Sequence, residues 1–182
     1  MRTVITDKNI RKISFFPRFI LKSLYYTLVY PCLTYCILAW GQVCTTTLNP
    51  IIVLQKKVVR IINGSDFYAH TNKIFNNLTI LKLEYIFKYH CALFIYQIQN
   101  KNKALYMNEQ IKNNQISIEY SLRNNGALRL PSVRVFKFKQ SLIYQVSKLW
   151  NCLPNEIKLI SSKNMFRKAV LTFFLNSQKN GL

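Results

Sequence analysis

Acidic side chains are nearly missing from this chain. Six Asp and Glu stand against 26 Lys and Arg, a net charge of +20 over 182 residues. The six are scattered singly, at Asp7, Asp66, Glu84, Glu109, Glu119 and Glu156. Paired carboxylates for two-metal phosphoryl transfer are therefore not available. Glycine is scarce too. The four glycines complete no Walker A loop, no G-x-G-x-x-G and no G-x-S-x-G. Histidine is limited to His70 and His90, and no C-x-x-C pair occurs, so the close ligand pairs of zinc motifs are absent. A nucleophile pair such as Cys152 with His90 has no supporting spacing. These absences favour a binding or scaffold domain over a self-contained catalyst, and no metal site is expected.

The cysteines are odd in number: Cys32, Cys36, Cys44, Cys91 and Cys152. Four of them lie in apolar surroundings. Arg2, Lys8, Arg11 and Lys12 leave no early apolar core of a secretory signal. The expectation is buried, reduced thiols in an intracellular protein of the nucleus or cytoplasm, not a secreted one.

What is there is positive charge, and it is spread evenly. Twelve basic residues precede position 92 and 14 follow it, so the charge is not a detachable tail. An excess of this sign points to a polyanion, with nucleic acid first and an anionic membrane surface second. Base bias in the coding sequence would also enrich Lys and Asn, each present 18 times, but would not remove Asp and Glu.

Against this background, Ser23 to Gln55 contains no charged residue. Leu24 to Trp40, LYYTLVYPCLTYCILAW, approaches the roughly 20 apolar residues that a membrane-spanning helix needs. Its tyrosines and threonines, however, lie through the middle rather than at two interfaces. Pro31 is expected to divide it into two helical pieces. Leu24, Leu28, Cys32, Tyr35 and Ala39 recur at helical spacing, as do Val29, Leu33 and Ile37. Apolar residues all round predict burial in protein on most sides.

Further along, Asn49 is a candidate N-cap with Pro50 at the first helical position, and Asn63-Gly64 closes that helix. Ile51, Leu54, Val58, Ile61 and Ile62 form the expected apolar face, with Gln55, Lys56, Lys57 and Arg60 opposite. Thr71 is expected to cap a short helix through Asn77. Leu83 to about Gln99 reads as a strong helix, with His90 on its apolar face as a core histidine. Residues 100–131 are polar and Asn-rich, a linker. Residues 133–139 alternate like a short strand, with helix an alternative from Phe136. A helix follows from about Gln140 to before Pro154, then a last one capped at Ser161-Ser162, with Phe166, Val170, Phe173 and Phe174 inward. The tail SQKNGL is polar.

Taken in order, IRKISFFPRFILKSLYYTLVYPCLTYCILAWG, LNPIIVLQKKVVRII, AHTNKIFNNLTILKL and SKLWNCLPNEIK with a terminal MFRKAV helix form a series. The series resembles the C-terminal region, thumb and following, of reverse transcriptases from jockey-like non-LTR retrotransposons. It covers about residues 10–176, and 100–131 matches least. Tyr35, Trp40-Gly41, Gln55, Arg60, His70-Thr71, Trp150-Asn151 and Leu153-Pro154 match recurrent positions. The resemblance implies that Trp40, Trp150 and Leu153 are core anchors and that His70-Thr71 forms a turn and cap. Gln55 and Arg60 would either contact nucleic-acid backbone or cap a neighbouring element. Such polymerases hold Mg²⁺ on palm aspartates in a Tyr-x-Asp-Asp-type motif. This sequence has no Asp-Asp, so no catalytic residue carries over, and Mg²⁺ is expected only in a palm that this sequence does not contain.

The resulting expectation is a mainly α chain: an irregular helical bundle with a polar linker and a small C-terminal helical subdomain. Its divisions are 1–17, 18–99, 100–131 and 132–182. The function implied is a palm-lacking portion of an RNA-directed DNA polymerase that supports template-primer or element-RNA binding. Lys56, Lys57, Arg60, Arg134, Lys137, Lys139 and Lys148 would track RNA or DNA phosphates. Phe136 and Tyr144 would stack on exposed bases. The palm of the parent polymerase is a further partner. A basic membrane-associated protein anchored by residues 20–44, and a relic without function, are the alternatives.

Overall fold

The computed structural model describes residues 16–101, 128, 130, 134 and 136–180. Its described residues are mainly helical and contain no strand. In order they form α1 (Arg18–Leu24), a π-helical turn (Tyr25–Val29), α2 (Tyr30–Thr34), α3 (Ile37–Trp40), α4 (Thr45–Asn63), α5 (Thr71–Leu78) and α6 (Leu83–Lys101). After these come α7 (Phe136–Lys139), α8 (Leu142–Cys152), α9 (Asn155–Lys158) and α10 (Lys163–Asn180). Of the 133–139 segment, Phe136–Lys139 is helical; Val133 and Val135 lie outside the described residues.

The centre is α6. Ile86, Cys91, Ala92 and Ile95 are fully enclosed, and Leu83, Tyr85, Tyr96 and Ile98 are buried on other sides. A helix apolar nearly all round needs neighbours on every side. Here α2 and α3 pack on it from one direction and α8 and α10 from others. The C-terminal helices thus share one hydrophobic cluster with the earlier ones. Phe166 of α10 stacks on Tyr96 at 4.1 Å and lies 6.4 Å from Trp150 of α8. Phe166, Val170 and Phe174 are buried as their spacing predicts, while Phe173 is half-buried.

The uncharged stretch is broken, but not at Pro31. The Tyr30 N–H reaches back five residues to the Tyr25 carbonyl, opening a π turn just before the proline. A widened turn accommodates the proline ring and its missing N–H. The chain stays helical through Pro31 to Thr34. It breaks at Tyr35 and Cys36, where Cys36 takes a left-handed φ of 49°. Among the described residues, no helix is long and apolar enough to cross a membrane. Burial is one-sided rather than all round. Tyr25, Leu33 and Ile37 are buried, and Leu24, Leu28, Cys32, Tyr35 and Ala39 are all exposed. The buried-thiol expectation fails with it: only Cys91 is buried, and Cys32, Cys36, Cys44 and Cys152 are exposed.

Two corrections concern α4. It starts at Thr45 behind Cys44, a turn before Asn49, and Pro50 lies inside it. Its buried face runs through Gln55, Val59 and Ile62, whereas Leu54 is exposed. The C-terminus follows expectation. Gly64 has φ 66°, its N–H reaches the Ile61 carbonyl at 3.1 Å, and Ser65 N–H reaches Arg60 at 3.0 Å. That is a Schellman closure. The α5 helix ends the same way on Thr79 (φ 53°), with Ile80 N–H bonded to Phe75 carbonyl at 3.0 Å. Thr71 does not cap this helix; it is the first helical residue and is buried.

Gln55 is 2 % exposed and Gln178 is 4 % exposed. Between them runs the extended connector from Ile80 to Leu83. Gln55 Nε2 donates to the Leu81 carbonyl (2.9 Å) and to Tyr25 Oη (3.0 Å), and its Oε1 accepts from Leu83 N–H (3.0 Å). Gln178 Nε2 donates to the Ile80 carbonyl and Asn76 Oδ1 (both 3.1 Å), and its Oε1 accepts from Lys82 N–H (2.9 Å). Each amide takes one carbonyl and one N–H of a buried connector that has no ladder partner. Replacing Gln55 by Leu keeps the volume but strands Tyr25 Oη, Leu81 O and Leu83 N. The expected cost is about 3 kcal/mol in a urea melt, given roughly 1–3 kcal/mol per buried unpaired group. A Gln55→Leu melt coinciding with wild type would show that these bonds are not needed.

Candidate nucleic-acid interface

The cations expected to track phosphates divide between two regions. Lys56, Lys57 and Arg60 lie on the second half of α4, which packs on α1 and α5. Lys139 ends α7 and Lys148 lies on α8, which packs on α6. Arg134, Lys139 and Lys148 are exposed. The side chains of Lys137 and Phe136 lie outside the described residues, and Tyr144 is half-buried.

In the α4 group, charge is mixed with structure. Arg60 is half-buried, and its Nε donates to the Ala69 carbonyl at 2.9 Å. Lys57 Nζ stands 5.9 Å from the centroid of the Phe67 ring. Gln55 faces inward, as described above, so it caps a neighbouring element. Among the described residues, no Lys or Arg has a carboxylate within 4.0 Å. Among the described residues the positive charge is thus not offset by ion pairs.

Sequence reasoning missed the turn that follows α4. The Ala69 N–H bonds to the Asp66 carbonyl at 3.0 Å, which places Phe67 and Tyr68 at the two central positions of a tight turn. Both rings are outside the core, Phe67 53 % and Tyr68 89 % exposed. The dipeptide Phe67-Tyr68 between Asp66 and His70 was the available signal.

Other matched positions are structural. Trp150 and Leu153 are buried; Trp40 is half-buried and its Nε1 donates to the Tyr35 carbonyl at 2.7 Å. Gly41 lies against α6, where a Cβ would meet Phe87 at 2.5 Å and the Ile37 carbonyl at 2.6 Å. Asn151 bonds both backbone groups of Leu128 at 2.8 Å, anchoring the far end of the polar stretch. A half-open cavity of about 710 Å³ lies among Ile52, Leu83, Phe87, Leu149 and Phe173. Its lining contains no histidine. Among the described residues, no group of three His, Cys, Asp or Glu is placed to hold a metal.

His90 is half-buried and lies 3.5 Å from Tyr30 Oη, with Tyr89 edge-on at 5.5 Å; it makes no pair with Cys152. Burial first, then Arg167, lowers its pKa. The fold therefore holds it neutral, and stability falls as pH drops below its ordinary value of 6.5. At the alkaline end, burial pushes the Cys91 thiol from 9.0 to about 12, and the Tyr25 and Tyr30 phenols from 10.0 to about 12. The Gln55 hydrogen bond partly opposes the rise at Tyr25. The fold favours the protonated forms, so stability is full below about pH 9 and declines toward pH 12. In Cys91→Val the onset should move from about pH 9 to about pH 10 in urea melts taken across that range. An unchanged onset would remove Cys91 as the cause.

No protein family, curated protein or solved structure was found to match this chain.

Proposed function

We propose that this chain is a palm-lacking helical portion of a retrotransposon RNA-directed DNA polymerase, and that it holds RNA or DNA by its phosphate backbone. The observation that carries the reading is the unneutralised charge. The chain carries a net +20, and its described Lys and Arg lie on a mainly helical scaffold in which none of them has a carboxylate within 4.0 Å. Such cations bind by displacing the counterions condensed on nucleic-acid phosphates. Lys56 and Lys57 on α4, with Arg134, Lys139 and Lys148 beyond the polar stretch, are the contacts assigned here, and Arg60 adds charge from its braced position. Lys137 completes the set from the sequence. Chemistry would belong to a palm with its own Mg²⁺, since this sequence carries no Asp-Asp.

The exposed apolar face at Leu24, Leu28, Cys32, Tyr35 and Ala39 supports the second half of the reading. Such a surface on a highly charged protein is covered by a protein partner, and the palm of the parent polymerase is that partner in this proposal. A membrane anchor is disfavoured because residues 20–44 are divided by the π turn and the break at Cys36. The relic alternative predicts a chain that does not fold by itself.

The test is anisotropy of a labelled 20-base-pair duplex across a salt series. Each phosphate contact contributes a log–log slope of about −0.9. Lys56→Gln with Lys57→Gln should lower the absolute slope by about 1.8 while leaving the helical circular dichroism unchanged. Binding that stays flat with salt would end the electrostatic reading.

A further inference from the structure

Two large aromatic side chains exposed at the tip of a tight turn require a physical reason. Phe67 and Tyr68 occupy the central positions of the Asp66–Ala69 turn, with ring centroids 5.3 Å apart at an interplanar angle of 86°. The pair is edge-to-face, and Tyr68 remains 89 % exposed to solvent. Lys57 stands beside Phe67, 5.9 Å from the ring centroid.

The turn is held firmly at its base. Arg60 secures both ends, its backbone carbonyl accepting from Ser65 N–H (3.0 Å) and its Nε donating to Ala69 carbonyl (2.9 Å). Next to it, α5 begins with buried Thr71 and carries exposed Lys73. Exposed aromatic rings on a braced turn, beside cations without carboxylate partners, are the components of a single-strand binding surface: bases stack on the rings, and phosphates run along the cations. The turn carries one acid, Asp66, against Lys56, Lys57, Arg60 and Lys73 on the flanking helices.

We propose that the Phe67–Tyr68 turn is a stacking platform for unpaired bases, so that the α4 surface takes single-stranded RNA or DNA in preference to duplex. The proposal rests on the phosphate-binding reading above and adds the ligand class. Tyr68 supplies the free stacking face. Phe67 stands beside it in an edge-to-face pair, Lys57 contributes charge, and Arg60 is a positioning residue that sets the turn on α4.

Three oligomers of equal length separate the two readings in the full chain: oligo-dT, an abasic oligomer with the same backbone, and a duplex. The platform predicts that wild type binds oligo-dT more tightly than the abasic strand. Tyr68→Ala should weaken oligo-dT binding by about 5- to 100-fold, the range of one lost base–aromatic stack, and leave the abasic strand and duplex unchanged. Tyr68→Phe keeps the ring and should keep the affinity. The salt slope for oligo-dT should be the same in Tyr68→Ala as in wild type, because no phosphate contact is removed. Photocrosslinking of a 5-bromouracil-substituted strand should mark the peptide containing Phe67 and Tyr68. Equal wild-type affinity for oligo-dT and the abasic strand would overturn the platform while leaving phosphate binding intact. Loss of binding to all three oligomers in Tyr68→Ala would also overturn it. Failure of wild type to bind any oligomer would overturn both readings.

Discussion

Two buried glutamine amides hold the connector between α5 and α6, and the arrangement of the helices depends on that grip. An extended backbone inside a helical protein has carbonyls and N–H groups with no ladder to join, and leaving them bare is costly. Gln55 satisfies Leu81 and Leu83 from the α4 side; Gln178 satisfies Ile80 and Lys82 from the α10 side. Each amide therefore acts as a short stretch of neighbouring strand. Because Gln55 also binds Tyr25, the π turn, α4 and the start of α6 are fixed together. Because Gln178 also binds Asn76, α10 is tied to α5 across 102 positions of sequence. The apolar contacts of α6 supply the bulk of the burial, but they are not directional. The two amides set the register in which those contacts form.

The uncharged stretch at the start follows from the same scaffold. Tyr25 must reach Gln55, and Leu33 and Ile37 must reach the core near α6, so one side of α1–α3 is committed. The π turn and the left-handed Cys36 rotate successive pieces to keep that side inward. The opposite side, Leu24, Leu28, Cys32, Tyr35 and Ala39, is as apolar as the committed one but is exposed. Both apolar stripes were visible in the sequence. Which one faces the core could not be read there, because both recur at helical spacing and only the tertiary position of Gln55 chooses between them.

That case shows where sequence reasoning succeeds and where it stops. The helices α4, α6, α8 and α10 were legible from apolar spacing and from punctuation by Asn63-Gly64, Pro154 and Ser161-Ser162, because such signals are local. Phe166 and Val170 were legible as core for the same reason, while Trp150 and Leu153, expected as core anchors from the resemblance, are also buried. Gln55 was placed on the solvent side with Lys56 and Lys57 because polarity is a good guide to exposure on average. It fails where a buried backbone needs an amide partner, and Gln178, in a tail that reads as merely polar, fails alike. The cysteines show the opposite error: apolar neighbours in sequence suggested burial, yet four of the five are exposed, Cys32 on the stripe that faces away from the core, Cys36 at the left-handed break, Cys44 just before α4 and Cys152 at the end of α8. At the candidate interface the cations were legible from composition. The Phe67–Tyr68 turn was not, since large aromatic residues ordinarily signal burial and the turn is braced by Arg60 reaching over to Ala69, nine positions on.

Arg60 also shows how a binding surface can be built from a folding scaffold. A lysine at that position would offer the same charge but not the planar donor geometry of a guanidinium. With Nε engaged by the Ala69 carbonyl, the side chain is held in place by the turn it supports. Its side-chain entropy is then lost on folding rather than on binding. The same bond braces the backbone of the turn that carries Phe67 and Tyr68. Lys56 and Lys57, each about one turn earlier on the same helix, have no carboxylate partner among the described residues because the chain contains so few acids. Scarcity of acid and rigidity of the turn thus act together: the first leaves the cations available, and the second places the rings beside them.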